Sequence, residues 1–322
     1  MRHAPRLFTV GSILADIRLE VPHLPVRGGD VIGAGAALSA GGGFNILAAA
    51  ARQGMECLFA GRHGTGPYGT RIRADLAAEG IAALLLPTAE SDSGFCLVMV
   101  EPDGERTFVS SPGVEATLGG RRLADLDLRP GDTVFASGYD LAYPELGPAI
   151  AVWMESLPRS IRFVVDPGPL VADIPTPVMA RAMPRATVWS MNRREAFLLT
   201  GVTDPAALRT HLEPGLSPDA LLVLRDGAAG AWISEGEGRS SVHVPSPSVC
   251  MVDSTGAGDS HAGVLIAALA AGMPARAAVA RANAAAALSV TRAGPATAPS
   301  RDELDRFLAS ADGLTERSAA QC

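Results

Sequence analysis

The run Asp253-Ser254-Thr255-Gly256-Ala257-Gly258-Asp259 opens directly onto a long stretch of small residues at helical spacing. Glycines at a helix start let backbone N–H groups approach an anion, and the helix dipole adds positive potential there. A carboxylate at that point would repel a bound phosphate, unless its task is to take a proton from a hydroxyl that attacks the phosphate. Asp259 is then a base, and the backbone of Gly256, Ala257 and Gly258 an anion hole, all within four consecutive residues. The same residues also fit a glycine-rich turn in which Asp259 merely matches the dipole. A second run, Ala40-Gly41-Gly42-Gly43-Phe44-Asn45, also enters a helix. Its glycines give close backbone access, and Asn45 can donate and accept hydrogen bonds, which suits a polyol or, more blandly, a helix cap. A third, Asn192-Arg193-Arg194-Glu195, follows an apolar strand. An amide with a carboxylate there can organise a hydrated Mg²⁺, or simply form a solvated first helical turn.

These runs need a scaffold that brings strand ends and helix starts together. Strands are expected at Leu7–Leu14, Cys57–Gly61, Thr133–Ser137, Arg162–Asp166, Thr187–Met191 and Leu221–Leu224. Helical patterns at 43–53, 67–79, 144–156, 176–183 and 193–200 alternate with them, the mark of βαβ units around a largely parallel sheet. Residues 257–271 and 275–290 are Ala-rich and suit two closely packed helices; Ser300 with Glu303 predicts a capping box for a last helix to about Ala309. Residues 17–38 read as two short strands, and 94–110 as a hairpin turning at Asp103-Gly104. Such segments outside the βαβ rhythm predict a small sheet over the strand ends, where open α/β sheets bind ligands.

Composition narrows the chemistry. The 322-residue chain has a net charge of −7, which leaves no basic excess for a nucleic-acid partner. All 27 basic residues are Arg. Without lysine there is no G-x-x-x-x-G-K-[ST] phosphate loop, no protein-kinase lysine and no Schiff base. The four cysteines, Cys57, Cys96, Cys250 and Cys322, form no C-x-x-C pair; they predict neither a zinc framework nor a disulfide scaffold, and fit a reducing cytosol. No apolar stretch reaches the ~18 residues of a membrane span. The apolar start runs into Asp16 and Arg18, as a buried first strand would, so the chain reads as cytoplasmic.

Taken together, the three runs resemble the ribokinase-like (pfkB) family of carbohydrate kinases, over about residues 6–310. The hairpin text Glu101 to Phe108 and the block Asp166-Pro167-Gly168-Pro169 look like members known only as sugar kinases of unassigned substrate. The resemblance implies a three-layer αβα kinase domain over 1–310, with a largely parallel central sheet, a small β-sheet lid, and a frayed tail over 311–322. It implies transfer of the ATP γ-phosphate to a sugar hydroxyl, with Mg²⁺ and K⁺ as ions; a nucleoside acceptor on the same fold is the alternative. Asp259 matches the family's base and Gly256, Ala257 and Gly258 its anion hole. Asp16, Gly41, Gly42 and Asn45 match the sugar site. Asn192, Arg225, Gly227, Gly230 and Asn283 match the ATP site, Glu195 the residue that holds Mg²⁺ through water, and Asp253 and Thr255 the place of a monovalent cation. Lids of related kinases pair into dimers, and the apolar lid positions Leu19, Val21, Cys96, Val98, Val100 and Phe108 point the same way.

The sequence departs from the family in places. Ala40 stands for a signature glycine, His261 for a Phe two residues after the base, and Gly66 for an acid. Packing as a neutral imidazole is expected for His261, and a solvated position for the hairpin Arg106. Gly66 also creates a rival motif, the G-x-G-x-x-G of Gly64 to Gly69, which read alone predicts an NAD(P) oxidoreductase. Pro67 removes one N–H from that loop, and the nearest candidate for a ribose-binding acid, Glu90, lies in a turn-like stretch.

Overall fold

The computed structural model describes residues 3–120, 122–236 and 240–312, so the tail expected to fray lies almost wholly outside the described residues. In chain order the strands are β1 (Arg6–Thr9), β2 (Ala15–Glu20), β3 (Gly35–Ala40), β4 (Glu56–Phe59), β5 (Ala82–Ala83), β6 (Phe95–Val100), β7 (Arg106–Ser111), β8 (Thr133–Ser137), β9 (Arg162–Asp166), β10 (Val188–Asn192), β11 (Leu221–Arg225), β12 (Ala231–Glu235) and β13 (Val242–Val244). The α-helices are α1 (Gly43–Arg52), α2 (Pro67–Ala78), α3 (Gly138–Ala142), α4 (Leu146–Ser156), α5 (Thr176–Ala182), α6 (Arg193–Thr200), α7 (Pro205–Leu212), α8 (Ala257–Ala270), α9 (Ala275–Ser289) and α10 (Arg301–Asp312).

Successive strand residues face opposite sides of a sheet, and here both sides are apolar. Leu7, Phe59, Phe135, Val164 and Val223 join one core with α1, α2, α8, α9 and α10. Phe8, Leu58, Val134, Phe163 and Leu222 join the other, with α3 to α7. The result is a three-layer αβα fold around a nine-stranded sheet of order β13-β12-β11-β10-β9-β8-β1-β4-β5. From β11 to β5 every pair is parallel; β12 and β13 add antiparallel strands at one edge. The small residues of α8 let it lie against α1: a Cβ on Gly263 would stand 2.4 Å from the Ile46 carbonyl oxygen.

The chain leaves β1 for β4 on one side and returns to β8 on the other, so the strand order reverses between β1 and β8. Ligands of open α/β sheets bind at such a reversal, beyond the carboxyl ends of the strands. Here that crevice is built around Asp140 of α3. Its carboxylate accepts from the Ser12 amide and hydroxyl, each at 2.7 Å, and from the Ser137 amide at 2.8 Å. A Cβ on Gly11 would collide with the same carboxylate at 1.9 Å. This packing ends β1 at Thr9, where the sequence reads as one strand to Leu14, and sends the chain into the second sheet at Ala15.

That second sheet has four strands in the order β3-β2-β6-β7. Its strands lie two residues off the expected 17–38 limits, since Asp16 and Ala40 belong to it. The hairpin turns at Asp103-Gly104 as predicted, with Gly104 at φ +84°. Ser300 and Glu303 form the expected capping box, with hydrogen bonds of 2.8 and 3.3 Å. Helices α3 and α7 and strands β12 and β13 have no counterpart in the sequence reading; each is five to eight residues or shorter, too brief for a clear period.

Candidate active site

Asn45, one of the residues predicted for the sugar site, meets Asp259 at the start of α8. Asn45, in the first turn of α1, donates through Nδ2 to Asp259 Oδ2 at 2.8 Å. Burial pushes the Asp259 carboxyl up to about 6; the hydrogen bond from Asn45 and the charge of Arg225 oppose the rise, while Asp166 and Glu195 add to it. Asp16, at the base of β2, is pushed up to about 7 by burial, with the charge of Asp259 adding. Two carboxyls thus share one desolvated space. Gly41 is required beside them, because a Cβ there would lie 2.0 Å from Asp16 Oδ2. Gly42 caps α1 at φ +60°, which only glycine adopts freely.

The loop predicted as an anion hole is shaped the same way. Gly256 takes φ +73° as the N-cap of α8, and a Cβ there would stand 1.9 Å from the Pro295 carbonyl oxygen. Beside Gly258 lies the guanidinium of Arg225, 3.6 Å from where a Cβ would be. Arg225, at the end of β11, pairs with Asp166 at the end of β9 and with Glu195 at 3.1 Å. Burial works against its charge, but the two carboxylates push its pKa further up. Glu195 and Asn192 form a capping box for α6: Glu195 accepts from the Asn192 amide and side chain at 2.7 Å, and its own amide donates to Asn192 Oδ1 at 2.9 Å. Burial nonetheless raises the Glu195 pKa. The motif is thus a first-turn cap, but a buried one and not the solvated turn expected, with Glu195 6% exposed.

The other predicted residues shape the turns around this loop. Gly227 and Gly230 form the β11–β12 turn with positive φ, and a Cβ on Gly230 would meet the Val244 carbonyl at 2.2 Å. Asn283 on α9 donates to the Val244 and Pro245 carbonyls at 2.9 and 3.3 Å, so its amide NH₂ fixes the exit of β13. Asp253 accepts from the Thr255 amide and hydroxyl at 2.9 and 2.6 Å and from the Gly294 amide at 3.0 Å. Burial opposes its charge, but these bonds and Arg106 hold it below the usual carboxylate range.

Arg106 is partly buried and held by hydrogen bonds, not simply solvated. From the first position of β7 it donates to Thr255 at 2.5 Å, Ser254 at 2.8 Å and Asp253 at 3.3 Å, joining the tip of the small sheet to the loop before α8. Sequence reasoning named Asp166 without giving it a role and passed over Tyr139. The only signal for Asp166 was an acid at a strand end before Pro-Gly, and Tyr139 had none. His261 behaves as expected: it is 2% exposed, and burial drives its pKa down to about 3, with Arg225 adding.

The rival dinucleotide loop is filled from within. Asp92 accepts from the amides of Tyr68 and Gly69 at 2.9 and 3.0 Å, and Ser93 takes the Gly64 amide at 3.0 Å. The start of α2 therefore already holds an anion, and Glu90 pairs with Arg62 at 2.5 Å. A pyrophosphate would find no free donor among these amides.

A three-layer αβα fold with a second, four-stranded sheet thus carries a carboxylate, Asp259, in the first turn of α8, just after the glycine at its N-cap. Residues 4–302 match the pfkB family carbohydrate kinase model. The chain is 37% identical to the uncharacterized sugar kinase YegV of Escherichia coli (strain K12) over 301 residues, 92% of each chain. In three dimensions it is similar to a ribokinase of Giardia lamblia, with a TM-score of 0.82 at 23% identity over 94% of this chain and 99% of that one. It is also similar to Arabidopsis thaliana ribokinase complexed with ribose and ATP, with a TM-score of 0.78 at 22% identity over 95% and 99%. The chain belongs to the pfkB family of carbohydrate kinases and is a phosphotransferase acting on a sugar hydroxyl. Among the described residues no helix is long and apolar enough to cross a membrane.

Proposed function

We propose that this enzyme moves the γ-phosphoryl group of ATP to a hydroxyl of a small sugar, with Asp259 as the base. The observation that carries the reading is the placement of Asp259 between Asn45, at 2.8 Å, and the amides that open α8. As the acceptor oxygen bonds to the γ-phosphorus, its proton passes to the Asp259 carboxylate and the bond to the ADP oxygen breaks. The amides of Gly256, Ala257 and Gly258 meet the charge that develops on the phosphoryl oxygens, and the nearby Arg225 adds positive potential. Asp16, Gly41, Gly42 and Asn45 hold the acceptor. The β11–β12 turn at Gly227 and Gly230, with Asn283 behind it, forms the nucleotide side, and the small sheet is the lid that excludes water from the transfer.

Mg²⁺ fits this site through water. Glu195 and Asp166 concentrate negative charge beside the anion-hole loop, yet both oxygens of Glu195 already accept hydrogen bonds, which leaves it an outer partner. When bound, the ion supplies positive charge to the β- and γ-phosphate oxygens. A monovalent cation fits poorly at Asp253 and Thr255, because Arg106 and backbone amides occupy their oxygens, and no step involves it. The homodimer remains a proposal on changed grounds. Register puts Val98, Phe108 and Cys96 on the Asp16 face and Leu19 on the other, so the outward face is Ile17, Leu19, Leu97, Met99 and Val109.

ATP consumption over a panel of sugars, sugar acids and nucleosides tests the function. Turnover with one acceptor, absent from Asp259→Asn, is the expected result; no turnover with any of them, together with NADH binding and no response to Mg-ATP, would reverse it.

A further inference from the structure

His261 stands two positions after Asp259 on α8, and the proposed transfer gives it no task. It is 2% exposed, and among the described residues neither ring nitrogen has a hydrogen-bond partner of good geometry. Burial drives its pKa down to about 3 and the charge of Arg225 adds, so the ring is neutral, with one N–H and one bare nitrogen. A buried N–H left without an acceptor costs stability, and an apolar side chain of the same bulk would avoid that cost. The group that acts on the ring in the opposite direction is Asn283 of α9, whose side chain stands close enough to favour the ring's charge. The two helices are in register for this contact. The Ser260 hydroxyl reaches the Ala285 carbonyl at 3.5 Å, one position from His261 and two from Asn283.

What Asn283 offers the ring is its oxygen. Its NH₂ is spent on the Val244 and Pro245 carbonyls, at 2.9 and 3.3 Å. A flipped amide would set its oxygen against those two carbonyls, so the oxygen is the end left to accept from His261. The segment that Asn283 holds matters in two directions. A Cβ on Gly230 would stand 2.2 Å from the same Val244 carbonyl, so the turn at Gly227 and Gly230 rests on it. Val244 and Pro245 also line a cavity, together with Pro274, Arg276, Ala277 and Ala280 at the start of α9. Whatever fixes the Asn283 amide therefore fixes both the turn and this wall.

We propose that His261 is a positioning residue: its ring N–H donates to the amide oxygen of Asn283, which locks that amide and holds the nucleotide side in register with the helix that carries Asp259. The inference rests on the kinase reading for what the pair serves, and goes beyond it in giving the buried ring a part. The ring acts through Asn283 by making the flipped amide unfavourable at both ends. In that orientation the amide oxygen faces two carbonyls and the NH₂ faces the ring N–H. Phe at position 261 fills the space but leaves the second end unguarded, whereas Gln, whose amide NH₂ also donates, restores it.

Calorimetric titration with Mg-ATP reads the nucleotide side without turnover. His261→Phe is expected to weaken Mg-ATP binding about tenfold, with the acceptor KM unchanged, and His261→Gln to bind as the parent does. Asn283→Ala should weaken binding as well, and adding His261→Phe to it should cost nothing more, because the ring acts through that amide. Proton–nitrogen NMR reads the pair with no ligand added. The His261 ring N–H, identified by its loss in His261→Phe, should lie downfield as a hydrogen-bonded proton and move upfield in Asn283→Ala. Parent-like Mg-ATP binding by His261→Phe, additive losses in the double variant, or a ring signal indifferent to Asn283 would each overturn the proposal. Equal losses of nucleotide and acceptor affinity that Gln does not repair would show a merely structural role and count against it. A parent that binds no Mg-ATP, with the ring signal shifting as expected, would sink the kinase reading and leave the pair standing.

Discussion

Replacing Asp259 with Asn separates a buried base from a dipole-matched surface carboxylate, because the two predict opposite signs for stability. The Asp259 carboxyl is pushed up to about 6 in the folded chain from an ordinary 3.8. A shift of that size is worth about 3 kcal/mol at 1.36 kcal/mol per unit. The folded state keeps its proton between pH 4 and 6 while the unfolded chain has lost it, so stability falls as pH rises through that window and the loss is complete above it. Asn cannot ionise and can still accept from Asn45, so the variant gains on the parent by about 3 kcal/mol between pH 4 and pH 7.5. A carboxylate that only matched the helix dipole would instead lose about 0.3–1 kcal/mol on neutralisation. Activity moves the other way: loss of a general base costs about 10²–10⁴ in rate, or about 3–5 kcal/mol of barrier. In the parent, kcat/KM should fall on the acid side with a break near the 6 of Asp259. Denaturant unfolding at several pH values, with ATP-coupled kinetics, measures both. Wild-type turnover, or a variant less stable than the parent at pH 7.5 and unchanged relative to it at pH 4, would refute the assignment.

Four further outcomes follow from the geometry. Gly41→Ala puts a methyl 2.0 Å from Asp16 Oδ2, and calorimetry should find ATP binding intact with acceptor binding lost. Arg106→Ala removes the three hydrogen bonds from lid to loop; with charged bonds worth about 1.5–3 kcal/mol each when lost, acceptor KM should rise at least tenfold and limited proteolysis should cut the hairpin faster. Glu195→Gln should weaken the Mg²⁺ dependence of the rate in a titration of free ion, while replacing K⁺ by Na⁺ leaves the rate unchanged. Light scattering at micromolar concentration should find a dimer that Leu97→Glu and Met99→Glu dissociate; a monomeric parent would remove the dimer and leave the kinase.

What the sequence alone determined is local. The capping box of Ser300 with Glu303, the hairpin turn at Gly104 and the glycine-lined start of α8 all depend on residues a few positions apart, whose backbone hydrogen bonds are set by residue type. The sequence also put Asp259 and Asn45 at helix starts, where the structure has them in the first turns of α8 and α1. Tertiary structure decided which of these groups share a space. Arg225 finds Asp166 across two parallel strands, and Arg106 finds Asp253 over 147 positions. Cys96 comes beside Asp16 through the register of β2 and β6, where a slip of one residue would turn it to the opposite face. The same dependence emptied the rival motif: Gly64 to Gly69 reads as a dinucleotide loop until Asp92, 23 positions beyond Gly69, folds back onto its amides. Spacing along the chain cannot show such pairings, because the order of strands in a sheet, and not their order in sequence, sets which charges meet.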